Sequence, residues 1–261
     1  MSRHCAKLFT ALLAASFIAM AGGALAGSYD DATTAYDKGD YATALKLLRP
    51  LAERGDTGAQ YSIGRMYAKG QGVPKDEAEA KNWFSKANEQ TKALQAYNTS
   101  DFALALKTFR PLAEQGQVLA EYIVGLMYAN GQGVPENYPE ALKWLQKAAE
   151  QGEAKAQFSV GVIYFKGLGM PRNSAEALKW YRRSADQGYA IAQYNLGAMY
   201  AKGEAVAANA VTAHMLYTLA AQHGVKAAGD AKDRLAKSMT PAQLADADKM
   251  AHDWKPKFEV Q

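Results

Sequence analysis

The chain has 261 residues, a formal net charge of +4, 21% charged residues and a single cysteine. The near balance of charge excludes a dedicated nucleic-acid binder, which needs a dense basic patch to neutralise phosphates. A lone cysteine excludes a disulfide framework and a cluster of thiolate ligands.

Residues 1–26 have the pattern of a secretory signal peptide. Arg3 and Lys7 make a positive start, Leu8 to Ala21 is free of charge, and Ala24-Leu25-Ala26 is a small-residue cleavage motif. A membrane-spanning helix needs about 20 apolar residues. This run is shorter, so cleavage after Ala26 is expected rather than anchoring, with the product periplasmic or secreted and no integral membrane segment left. Cys5 precedes the apolar run, the wrong side for lipidation. Cleavage removes Arg3, Cys5 and Lys7, leaving a cysteine-free chain of net charge +2 that depends on an apolar core.

Internal repeats dominate the remainder. Gly125, Gly161 and Gly197 are spaced 36 residues apart, within AEYIVGLMYANGQG, AQFSVGVIYFKGLG and AQYNLGAMYAKGEA; an earlier copy, AQYSIGRMYAKGQG, centres on Gly64. Residues 35–74 also match residues 96–135 at 24 of 40 positions. Each 36-residue unit reads as two helices. In the first, Ala59, Ile63, Gly64 and Tyr67 fall on one helical stripe, and Tyr128, Tyr164 and Tyr200 repeat the last position. A glycine inside a helix costs about 1 kcal/mol against alanine, so its recurrence implies a close approach that a side chain would obstruct. Gly70, Gly131, Gly167 and Gly203 are helix stops. Loops with a second glycine and a proline follow in three copies, ending at Pro74, Pro135 and Pro171.

The second helix opens with Asp76-x-x-Glu79, Asn137-x-x-Glu140 or Asn173-x-x-Glu176, an N-cap oxygen three residues ahead of a carboxylate. It then places Ala80, Trp83 and Ala87, or their equivalents around Trp144 and Trp180, on one face, with the tryptophan wedged against the neighbouring unit. The fourth unit departs from the pattern, with Glu204-Ala205-Val206 in place of the glycine loop and Leu216 in place of tryptophan.

These residues, spanning 59–90 and 119–224, resemble the Sel1-like repeat, a relative of the tetratricopeptide repeat. The resemblance implies an all-α fold, a right-handed α-solenoid of antiparallel helix pairs. The expected division is a tetratricopeptide-like pair at 27–58, repeat units at 59–90, 119–152, 153–188 and 189–224, a tetratricopeptide-like insert at 91–118 and capping helices at 225–261. Thr240, Pro241 and Gln243 form a capping box that opens the closing helix, with Trp254 near its end.

No catalytic, metal or cofactor site is expected. The mature histidines are His214, His223 and His252. Asp248 and His252 stand at i, i+4, a spacing that fits a surface pair better than a chelate. The G-x-G-V-P loops lie between helices and lack the remaining residues of a nucleotide-binding loop. No G-x-S-x-G or S-x-x-K is present.

Mapped onto the tetratricopeptide pattern, the concave side is lined by the first helices. Tyr61, Tyr122, Phe158 and Tyr194 occupy one position, and Arg65, Leu126 and Val162 the next turn. Phe165 stands where other copies have alanine, and Lys69, Lys166 and Lys202 edge the face. Two readings of Tyr61, Tyr122 and Tyr194 stand side by side: an aromatic ladder for a ligand, or rings packed on the adjacent helix with only an edge showing. The resemblance implies a scaffold that binds a protein or peptide partner of the envelope or host, apolar and partly acidic. The alternatives are an enzyme acting on cell-wall peptides or β-lactams, as linked to cysteine-rich relatives, and a glycan-binding envelope protein.

Overall fold

The computed structural model describes residues 23–257, of which the side chains from 29 onward are defined. Among these residues there are thirteen helices and no strand: α1 (Gly23–Asp37), α2 (Tyr41–Glu53), α3 (Thr57–Lys69), α4 (Glu77–Asn98), α5 (Phe102–Glu114), α6 (Val118–Asn130), α7 (Tyr138–Glu150), α8 (Ala154–Lys166), α9 (Ser174–Asp186), α10 (Ala190–Lys202), α11 (Ala210–Gln222), α12 (Lys226–Ala236) and α13 (Pro241–Asp253). This is the all-α repeat architecture expected. The expected leader lies outside the described residues apart from its last four, which begin α1. The chain divides into two compact units between Trp144 and Leu145, inside α7.

The helix boundaries follow local chemistry. Gly70, Gly131, Gly167 and Gly203 end α3, α6, α8 and α10 in the left-handed region, each with its N–H returned to the carbonyl four residues back. The Asp76 carboxylate accepts from the Ala78 and Glu79 N–H groups, and the Asn137 and Asn173 side chains accept from Glu140 and Glu176. The capping box of Thr240 and Gln243 forms in both directions. One unit boundary falls inside a helix. No turn divides residues 90 and 91, because α4 carries no glycine or proline and buries Ala80, Trp83, Ala87, Gln90, Ala93 and Ala96 at helical spacing. The second helix of one unit thereby continues into the insert.

In the first unit the core gathers Ala32, Ala44, Leu48, Leu51, Ala52, Ala59, Ile63, Met66 and Trp83. Buried glutamines tie one helix pair to the next. The amide groups of Gln60, Gln157 and Gln193 donate to the carbonyls of Ala52, Ala149 and Ala185, each eight residues back. These are carbonyls at the end of the preceding helix, which have no partner within it. The repeat tyrosines are held on the other side: Arg49 donates to the Tyr67 hydroxyl, Gln146 to Tyr164 and Arg182 to Tyr200.

In the second unit Ala213, Tyr217, Ala220, Ala228 and Ala231 form the terminal core. The closing helix α13 packs on α11. The tail beyond it runs back to the turn between α9 and α10, where Lys257 N–H donates to the Asp186 carbonyl at 2.7 Å. There the Trp254 ring lies 3.3 Å from the place a Cβ on Gly188 would occupy. The cap therefore reaches one helix pair further back than its sequence suggests.

Candidate functional site

The mid-helix glycines determine where the aromatic side chains stand. A Cβ on Gly64 would lie 2.7 Å from the Phe84 ring, one on Gly161 2.6 Å from Tyr181, and one on Gly197 2.9 Å from Tyr217. Each ring follows its glycine by 20 residues and rests on the bared backbone. The close approach inferred from the sequence is thus made by the residue after the tryptophan position. Tyr61, Phe158 and Tyr194, each three residues before its glycine on the same helix, pack against these rings with centroids 5.0, 5.6 and 5.8 Å away.

The expected ligand-binding residues separate on this geometry. Tyr61 is 54% exposed and Arg65, one turn on along α3, is exposed as well. Phe158, Phe165 and Tyr194 are half-buried. Tyr122, Leu126 and Val162, by contrast, are buried, at 2%, 1% and 6% exposed. The physical reason is clearest for α6, where consecutive residues from Ala120 to Met127 are all buried. Apart from Glu121 this stretch carries no charged residue, so the helix buries side chains on all its faces.

Around Tyr61 and Arg65 the first unit contributes groups that sequence reasoning missed. The Tyr36 hydroxyl of α1 donates to Gln71 Oε1 at 2.7 Å. Its ring lies 5.6 Å beneath the Arg65 guanidinium, and an Arg65 N–H meets the same hydroxyl at 3.5 Å. Tyr36 was findable, because the matched segments 35–74 and 96–135 place Tyr97 at its position, and Tyr97 donates to Gln132 in the same way. Phe84 had a signal too: it and its equivalents Tyr181 and Tyr217 each lie at a constant interval from the repeat glycine.

In the second unit Phe158 stacks on Tyr181 and tilts against Tyr189, while Phe165 lies 6.1 Å from Tyr181. The Arg172 guanidinium covers Phe165 at 4.7 Å and pairs with Glu204. Glu204 also accepts from Ser174, so one departure from the repeat, Glu204, braces the cation that covers another, Phe165. Burial holds the Tyr181 phenol far above its usual range, and burial followed by the Glu153 charge pushes Tyr189 up to about 12. Both stay neutral near pH 7, suited to packing and hydrogen bonding rather than to proton transfer.

His214 is buried where α11 meets the closing helix, its Nδ1 4.0 Å from Asp248 Oδ1. Asp248 thus faces His214, the second partner open to it besides His252. Desolvation lowers the imidazole pKa below the usual 6.5, against the opposing pull of Asp248. A lowered folded-state pKa favours the neutral ring, so this stability is present above about pH 6.5 and declines as the pH falls below it. Thermal melts between pH 8 and 5 should show that decline, and His214→Gln should lack it; parallel profiles would remove His214 as the cause. Among the described residues no three His, Cys or carboxylate side chains gather as for a metal, and no helix is long and apolar enough to cross a membrane.

Comparison with known proteins places this geometry in context. The family model described as Sel1 repeat matches residues 33–56, 57–92, 118–153, 154–189 and 190–225. It adds a fifth, shorter repeat at 33–56, inside the stretch expected as a tetratricopeptide-like pair. Among solved structures the chain is similar to a protective antigen of uropathogenic Escherichia coli strains that displays an SLR fold. The identity is 30% over 86% of this chain and 52% of that one, with a TM-score of 0.54, so the chain spans about half the length of that relative. It is also similar to a Sel1 repeat protein from Oxalobacter formigenes, at 30% identity over 87% of this chain and 100% of that one, again with a TM-score of 0.54. Comparison with curated proteins finds no match.

Proposed function

We propose, since this chain belongs to the Sel1 repeat family, that it is an exported helical-repeat scaffold that binds a protein or peptide partner through its first-helix faces. Sel1-repeat scaffolds generally mediate protein–protein interaction. The observation that carries the reading is the set of aromatic and cationic side chains left accessible at repeat positions: Tyr61 and Arg65 in the first unit, and Phe158, Phe165 and Tyr194 in the second. Exposed or half-exposed aromatics and arginine are the residue types that anchor protein partners. A few such anchors give micromolar affinity, on the order of −8 kcal/mol.

Export is read from the leader pattern of residues 1–26. Fractionation of the native host followed by N-terminal sequencing should find a chain beginning at Gly27 outside the cytoplasm; a cytoplasmic chain that retains Cys5 would refute it. For binding, crosslinking in an envelope extract should capture one or more defined partners. Capture should fall at least tenfold in a variant combining Tyr61→Ala, Arg65→Leu, Phe158→Ala and Phe165→Ala that still melts cooperatively. Undiminished capture by that folded variant would place the binding surface elsewhere.

A further inference from the structure

Along α3 the residues Tyr61, Arg65 and Lys69 follow at intervals of four. All three are exposed, and each is about 6 Å further along the helix axis. The equivalent stripes are Tyr122, Leu126 and Asn130 in α6, and Phe158, Val162 and Lys166 in α8. Arg65 therefore departs from the repeat, and no packing requirement of the unit accounts for a guanidinium there. Arg65 and Lys69 make no ion pair with a carboxylate among the described residues; the acidic residues of α1, Asp30, Asp31 and Asp37, pair with neither. The Arg65 side chain is nevertheless held in place. Tyr36 gives its proton to Gln71, which turns an oxygen lone pair towards the Arg65 N–H, and its ring supports the guanidinium from below. A planar donor fork already positioned over an aromatic ring suits a carboxylate and loses little entropy on binding it.

From this arrangement we infer that the α1–α3 face of the first unit takes an acidic peptide segment. An apolar or aromatic side chain of the ligand rests on Tyr61 against Phe84, and two carboxylates meet Arg65 and Lys69. Alternate residues of an extended chain are about 6.6–6.8 Å apart, close to the 6 Å steps of the α3 stripe, so an apolar-x-acidic-x-acidic segment matches it in register. Two cations are too few for an anionic membrane, where each contributes about 1 kcal/mol and recognition takes clusters of 4–8. The inference rests on the proposed binding function and narrows its partner.

Selection of displayed random decapeptides on the full chain tests it. Enriched sequences should carry Asp or Glu pairs two residues apart beside an apolar residue, and their binding should weaken at least tenfold in Arg65→Leu, the residue that the matched segment carries as Leu126. Arg65→Lys should retain part of the affinity, and raised salt should weaken binding. Enrichment without acidic bias, equal selection on Arg65→Leu, or preferential Arg65-dependent binding to phosphatidylglycerol vesicles would overturn the assignment. The wider function fails separately: envelope capture that survives Arg65→Leu but is lost in Phe158→Ala with Phe165→Ala defeats this inference alone, whereas capture that no variant reduces defeats both.

Discussion

Gly161→Ala is expected to destabilise the second unit by about 2 kcal/mol, although alanine is the better helix former. The new methyl would stand 2.6 Å from the Tyr181 ring. Tyr181 is 2% exposed and touches Phe158 and Phe165, so it has no free space to retreat into. Overpacking of this kind costs about 1–3 kcal/mol, and more where a ring must move, against roughly 1 kcal/mol gained in helix propensity. For a chain of this size the melting midpoint should fall by about 4–8 °C. Gly229→Ala is the control. It lies within α12, and nothing stands within 4 Å of its added Cβ, so only the propensity gain remains and the midpoint should rise by a few degrees. If both variants melt alike, the aromatic contact is not what requires glycine at position 161. The same replacement should also disturb the Phe158 environment, visible as a changed near-ultraviolet spectrum.

Gly133→Ala should cost about 3 kcal/mol, the larger of the two losses, because two penalties combine. The residue has φ of +74°, where a side chain costs about 1–2 kcal/mol. Its Cβ would also meet the Phe102 carbonyl oxygen at 2.6 Å and the carbonyl carbon at 2.9 Å, main-chain atoms at the start of α5 that cannot rotate aside. The loop would have to lift from α5, and chemical denaturation should show a lower midpoint. Ala205 stands in the corresponding loop of the fourth unit and already has φ of +58°. There Ala205→Gly should stabilise by about 0.5–1 kcal/mol, the strain released less the added entropy of the unfolded chain. Opposite signs for the same pair of residue types at one repeat position are the expected result; a gain in stability from Gly133→Ala would refute the clash.

The repeat units were legible because their signals are local. The stop glycines, the Asp76, Asn137 and Asn173 caps and the Thr240 capping box each act within a few residues, and each forms as read. The α4 junction was not legible in the same way. The repeat type changes at residue 90, and a helix continues across such a change wherever no residue breaks it and its buried stripe stays in phase. At the candidate site Tyr61, Arg65, Phe158, Phe165 and Tyr194 came from register alone and are accessible to differing degrees. Tyr122, Leu126 and Val162 came from the same register and are buried. Register places a side chain on one side of a helix; it does not report what covers that side.

What the sequence determined by itself was the helical repeat, its period, its caps and the need for a bare backbone at Gly64, Gly161 and Gly197. All of these depend on backbone conformation and on short-range periodicity. Only the tertiary structure decided which ring fills each bared position, how far the tail of Trp254 reaches, and which repeat side chains remain open to a partner. Those outcomes depend on contacts between residues 20 to 70 positions apart, and identical local patterns meet different neighbours along the chain. Arg65 joins the two levels. Its departure from the repeat was visible in the sequence, and the Tyr36 hydroxyl and ring that hold it ready for a carboxylate came from another helix.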